Sequence, residues 1–152
     1  MIVRKDLLHK AEKSCPLFLD WTEYETYPDT YLSTPPIWSI YVTCLFVSYM
    51  NQLGGVPHFD RLSDIKSRMI YDCVDNSKGY YTNSTEKKYR SRVNVIVHLR
   101  DNSLLEKLMS EAAKIKIINI KGHEATGGLR ISMYNAMPLN GVVELCKFFN
   151  EF

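Results

Sequence analysis

The sequence predicts an α+β fold, and three observations carry that prediction. Apolar residues recur at helical spacing through 36–75, at alternate positions in Val93, Val95, Val97 and Leu99, and at helical spacing again from Asn140 to the C-terminus. Helices are therefore expected to pack on one face of a small, largely antiparallel sheet. With 152 residues, 45% hydrophobic and 24% charged, the chain has enough material for one domain with a real core, or for one lobe of something larger.

The opening MIVR reads as a short apolar stub and a poor edge strand, and it runs into a helical pattern in DLLHKAEK. Residues 16–35, PLFLDWTEYETYPDTYLSTP, mix aromatics, Thr and Pro without a period and are expected to form an extended surface connection. Ser33 or Thr34 can cap the next helix, whose first turn holds Pro36 and whose stripe is Ile37, Ile40, Tyr41, Cys44, Leu45 and Val47. Gly54 and Gly55 stop it. Phe59, Leu62, Ile65, Met69, Cys73 and Val74 predict the stripe of a second helix, ended by NSKG at 76–79, and the two helices are expected to pack together.

From Tyr80 the period changes. A short YYT strand at 80–82, a charged loop TEKKYRSR at 85–92 and the Val93–Leu99 alternation begin a sheet. An amphipathic helix at 104–114, an INI strand at 118–120, an LRISM strand at 129–133 and a helix in NGVVELCKFFNEF complete it.

Composition narrows the function. Nineteen basic against 17 acidic side chains give a net charge of +2, too little to imply a nucleic-acid partner. Lys87, Lys88, Arg90 and Arg92 cluster around Tyr89, and a solvated hairpin loop is the reading preferred over a phosphate contact. Cys15, Cys44, Cys73 and Cys146 form no metal-ligand spacing, so no metal is expected. Neither a secretory signal nor a membrane-length apolar run is evident, and a reducing cytoplasmic setting without membrane contact is expected. Walker A, GxGxxG and GxSxG patterns are missing.

The chemistry gathers in KGHEATGGLRISMYNAM, residues 121–137. In LRISM, Leu129, Ile131 and Met133 share one face, so Arg130 and Ser132 face the other. On pattern alone Arg130 is a solvent-facing arginine. The sharper alternative notes Gly127 and Gly128 just before it: the backbone can turn tightly while the guanidinium grips a carboxylate or phosphate. His123 reads either as a loop histidine or as an anion donor.

Taken together, STPPIWSIY at 33–41, YDCVDNSKGYY at 71–81, RSRVNV at 90–95 and GHEATGGLRISMYNAM at 122–137 resemble phosphoserine aminotransferases in order and spacing. The resemblance implies a fold-type-I aminotransferase that uses pyridoxal phosphate. Residues 36–152 would be its C-terminal small domain, and residues 1–35 a stub, helix and connection from a large domain lying upstream. It implies a homodimer, or pairing with a full-length aminotransferase subunit, and small amino-acid and keto-acid substrates. The family's reaction converts 3-phosphohydroxypyruvate and glutamate to phosphoserine and 2-oxoglutarate, in serine biosynthesis.

By the same resemblance, Arg130 would hold the substrate carboxylate as a bidentate fork and His123 would lie near the substrate phosphate. Ser33 and Thr34 stand where the family has an Asn-Thr pair that reaches the cofactor phosphate of the neighbouring subunit. The arginine that follows the motif histidine is replaced by Glu124. A carboxylate about 4 Å from a phosphate charge costs roughly 4 kcal/mol at an effective dielectric near 20, about a thousandfold in binding. The family's Schiff-base lysine belongs to the large domain and no lysine here matches it, so no catalytic residue is assigned and the chain alone is expected to be inactive. The alternative expectation is a non-catalytic homologue serving as an interaction or anion-binding module.

Overall fold

The alternation around Val95 builds the central strand of a three-stranded antiparallel sheet in the computed structural model, which describes residues 2–26 and 31–152. Strand β1 (Tyr81–Thr82) pairs with β2 (Asn94–Leu99), and β2 pairs with β3 (Leu129–Ser132), in the order β1-β2-β3. The register sets Tyr81 opposite Leu99, Val97 opposite Leu129 and Val95 opposite Ile131. All six side chains are buried on one face. The other face carries Asn94, Ile96 and His98 from β2 with Arg130 and Ser132 from β3, none of them buried. The α+β expectation, with helices on one sheet face, is met.

The chain divides into two compact units, residues 1–49 and 50–152. In the second, helices α3 (Gly55–Asp75), α4 (Leu105–Lys114) and α5 (Leu139–Glu151) send Ile70, Val74, Leu108, Ala112, Val142 and Leu145 into one core with the buried strand face. Gly54, at φ +105°, takes the left-handed conformation that starts α3, and Asn76 closes the helix within the predicted NSKG breaker. The basic loop is tied down. Arg90 forks onto the Asp75 carboxylate with both bonds at 2.8 Å and stacks 4.5 Å over the Tyr71 ring, and Tyr71 donates its hydroxyl to the Ser91 carbonyl. That guanidinium holds the Asp75 carboxyl below the usual carboxylate range.

Several expectations fail for physical reasons. The buried stripe of α3 is Phe59, Ser63, Lys66, Ser67, Ile70, Tyr71 and Val74; of the predicted stripe, Phe59 and Val74 are buried, Met69 and Cys73 pack partly buried against the core, and Ile65 is half exposed. The stripe is turned so that it includes Lys66, which is fully buried although its type assigns it to the surface. Its Nζ donates to the carbonyls of Met133 at 3.3 Å, Tyr134 at 3.0 Å and Met137 at 3.1 Å, using all three ammonium protons. Burial pushes the Lys66 pKa down. The INI segment is not a strand: Lys116 and Asn119 adopt positive φ, which breaks an extended run, and only a bridge at Lys121 opposite Leu129 survives.

The first unit also departs from expectation. DLLHKAEK forms only a 3-10 turn at Lys5–Leu7, since His9 sits at φ +57°. The expected extended connection contains a 3-10 turn at Leu17–Leu19 and helix α1 (Trp21–Thr26), started by the Asp20 carboxylate accepting the Thr22 N–H at 2.9 Å; its residues 27–30 lie outside the described set. Helix α2 (Ile37–Gln52) forms as predicted, with Ile40 N–H bonding Pro36 O in its first turn. It carries no buried residue, and within the second unit α3 lies against α5 and the sheet.

Replacing Ile70 by Ala removes a fully buried side chain and is expected to cost about 2–5 kcal/mol in urea unfolding. Ile40→Ala on α2, half exposed, should cost under about 1 kcal/mol. Equal losses at the two positions would contradict this placement of the core.

Candidate functional site

Arg130 owes its position to two backbone constraints. Gly127 and Gly128 both adopt left-handed φ, +64° and +62°, which lets the chain reverse immediately before β3. At Gly128 a Cβ would stand 2.6 Å from the Val97 carbonyl and 2.7 Å from His98 Nδ1, so only glycine brings the loop this close to β2. A Cβ on Gly122 would collide with the Gly127 carbonyl in the same way, and Gly122 N–H bonds Gly128 O at 2.8 Å. Arg130 N–H then bonds Ile120 O at 2.8 Å. Its side chain projects on the polar sheet face opposite Ile96, exposed and without an ion-pair partner among the described residues.

His123 sits at the head of the same loop. Its carbonyl accepts the Thr126 and Gly127 N–H groups at 3.0 and 2.8 Å, and its ring Nδ1 accepts the Ala125 N–H at 3.2 Å. A neutral imidazole bonded this way keeps its proton on Nε2, so the ring presents an N–H donor outward. Glu124, the next residue, is exposed. The loop and strand thus place a free guanidinium and a ring donor either side of the Gly127–Gly128 turn, together with one carboxylate. Such a set can bind an anion at Arg130, and the carboxylate of Glu124 counts against a dianion beside His123.

Beside Ser132, the polar face holds Asn94 and His98, which the sequence reading did not single out. Ser132 Oγ donates to Asn94 Oδ1 at 2.8 Å, joining β3 to β2 beside Arg130, and His98 abuts the Gly128 turn. Period-two spacing places Asn94, Ile96 and His98 on one face, but only the β2–β3 register shows that this face is Arg130's. Ser33 and Thr34 are both exposed in the N-terminal unit. Their hydroxyls suit a phosphate acceptor by donor chemistry. No group of His, Cys, Asp and Glu able to hold a metal ion occurs among the described residues, and no described helix is long and apolar enough to cross a membrane.

The sequence pattern of the aminotransferase class-V family matches residues 1–145. This chain belongs to that family. Its relatives include the phosphoserine aminotransferase of Herminiimonas arsenicoxydans, 38% identical over 152 residues that make up 100% of this chain and 41% of the relative. The phosphoserine aminotransferase of Ralstonia pickettii (strain 12J) is 40% identical over 151 residues, 99% of this chain and 39% of the relative. Among solved structures, the phosphoserine aminotransferase from Bacillus circulans subsp. alkalophilus superposes with a TM-score of 0.88 at 29% identity, covering 98% of this chain and 41% of that one. A phosphoserine aminotransferase from Trichomonas vaginalis, solved with pyridoxal phosphate bound, gives a TM-score of 0.82 at 26% identity, covering 91% and 39%. The chain therefore spans about two fifths of the length of these class-V relatives.

Gly128→Ala is expected to destabilise the chain by more than about 2 kcal/mol, adding a backbone clash to the left-handed penalty. Gly79→Ala, also at positive φ but with open space around the new methyl, should cost only about 1–2 kcal/mol. Amide exchange at Arg130 distinguishes them: it should accelerate in the first variant and stay unchanged in the second.

Proposed function

We propose that this chain is the substrate-covering small domain of a phosphoserine aminotransferase, with Arg130 as the ligand for the substrate carboxylate. The observation that carries the reading is the geometry of Arg130: exposed on the polar sheet face, unpaired among the described residues, and aimed by a glycine turn whose closeness to β2 excludes other residues. Relatives named phosphoserine aminotransferase that match 99–100% of this chain support it.

In this reading the planar guanidinium receives the carboxylate of glutamate, 2-oxoglutarate or the phosphorylated substrate through two parallel N–H bonds. His123 donates its Nε2 proton to an anionic oxygen at the far end of the substrate. Glu124 weakens that end's grip on a phosphate dianion and favours a singly charged group there. Ser33 and Thr34 donate their hydroxyls to the phosphate of pyridoxal phosphate, in a homodimer to the cofactor of the neighbouring subunit. When bound, pyridoxal phosphate supplies the electron sink for amino transfer. The lysine that holds it comes from the large domain, so the working enzyme requires that domain and acts among cytoplasmic amino-acid and keto-acid pools.

Binding of 2-oxoglutarate to the chain, followed by calorimetry, should weaken at least tenfold in Arg130→Ala. Glu124→Ala should tighten O-phosphoserine binding and leave 2-oxoglutarate unchanged. Unaltered 2-oxoglutarate binding in Arg130→Ala would remove the carboxylate role.

A second reading, a non-catalytic module that pairs with a full-length aminotransferase subunit, rests on α2. That helix exposes Trp38, Tyr41, Leu45, Phe46 and Tyr49 and buries nothing. Purified alone, the chain should show no transamination; mixed with a full-length subunit, it should sediment as a heavier species. Enzyme-like turnover by the chain alone would defeat both readings of its dependence on a partner, and sedimentation at the mass of one chain in the mixture would defeat the second.

A further inference from the structure

We propose that Lys66 is a positioning residue for Arg130: a buried ammonium that pins the far end of β3 and so sets where the guanidinium is presented. The proposal rests on the reading of Arg130 as the carboxylate ligand. Strand β3 is held at both ends, by different means. At its start, Gly128 lies against the Val97 carbonyl of β2. At its end, Met133 N–H bonds the Val93 carbonyl at 2.7 Å, and the Met133 carbonyl is one of three that surround Lys66 Nζ. Arg130 and Ser132 lie between these two pins.

Three features separate this cage from ordinary core packing. The lysine is fully buried, yet no carboxylate lies within ion-pair distance of it among the described residues; its charge is met only by main-chain dipoles. All three acceptors belong to one short segment, the connection from β3 to α5, closed by its own bond from Met137 N–H to Tyr134 O at 2.9 Å. The donor comes from α3, 67 to 71 residues earlier in the chain. The bond to the Met133 carbonyl is buried, whereas those to Tyr134 and Met137 lie nearer the surface, so loss of the donor strands the Met133 carbonyl away from water and the segment must move to satisfy it. The displacement enters β3 at Met133, one residue from Ser132 and three from Arg130. Apolar packing of a methionine at this site would fill the same space without holding the carbonyls.

The test uses the full chain, labelled with nitrogen-15, with 2-oxoglutarate as the probe. In the wild type the Lys66 ammonium protons should exchange slowly enough to give their own cross-peak; if they are invisible under conditions that reveal buried ammonium groups, the cage is overturned. In Lys66→Met, and in Lys66→Gln should the first fail to fold, the amides of Arg130 and Ser132 and the Arg130 Nε–H signal should shift. Those of Tyr81, Thr82 and Arg90, at the other edge of the sheet and in the anchored loop, should stay in place. Affinity for 2-oxoglutarate should fall about tenfold. Lys66→Arg should recover part of the loss. Unchanged Arg130 and Ser132 signals in a folded variant, or equal change across the whole sheet, would overturn the positioning role. Failure of the wild type to bind 2-oxoglutarate would instead remove the carboxylate reading, while the pattern of shifts still decides whether Lys66 orders β3.

Discussion

The register of β3 on β2 is the constraint on which the candidate site depends. Because side chains alternate across a strand, the pairing of Val97 with Leu129 and Val95 with Ile131 buries four aliphatic residues and, by the same geometry, turns Arg130 outward. A slip of one residue would bury a guanidinium without a partner and expose Leu129 and Ile131. Burying an unpaired charge costs several kcal/mol, and each lost aliphatic contact about 1.5–3 kcal/mol more. The core therefore selects the register, and the register presents the arginine.

Glycine and a buried cation complete that selection from opposite ends. Gly128 permits a backbone approach that any methyl would block, which ties the loop bearing His123 to the start of β3. Lys66 holds the carbonyls that follow the end of β3. Neither residue contributes a side chain to the polar face. The two reach the site through the backbone, which is how a short four-residue strand near the sheet's edge can carry a ligand with a defined direction.

The two units differ in what their apolar residues do. In residues 50–152 the apolar stripes of α3, α4 and α5 close on one sheet face and form a core of ordinary composition. In α2 the apolar residues stay at the surface of the chain. Class-V relatives are more than twice as long as this stretch. An apolar helix that buries nothing within its own stretch is physically consistent with a proposed assembly in which other parts of an aminotransferase cover it.

Strand β2, the outward face of Arg130, the breakers at Gly54 and 76–79 and the helices α4 and α5 were legible in the sequence, because periods of two and 3.6 and left-handed turn residues are local properties. The family blocks around His123 and Arg130 were legible for the same reason: they are contiguous. Tertiary structure alone decided which face of α3 is buried, since Lys66 enters the core only because three carbonyls from 67 to 71 residues away receive its protons. It decided likewise that 118–120 is not a strand and that Asn94 and His98 share Arg130's face. Those outcomes depend on long-range partners, and a residue's own type and spacing do not specify what it will meet.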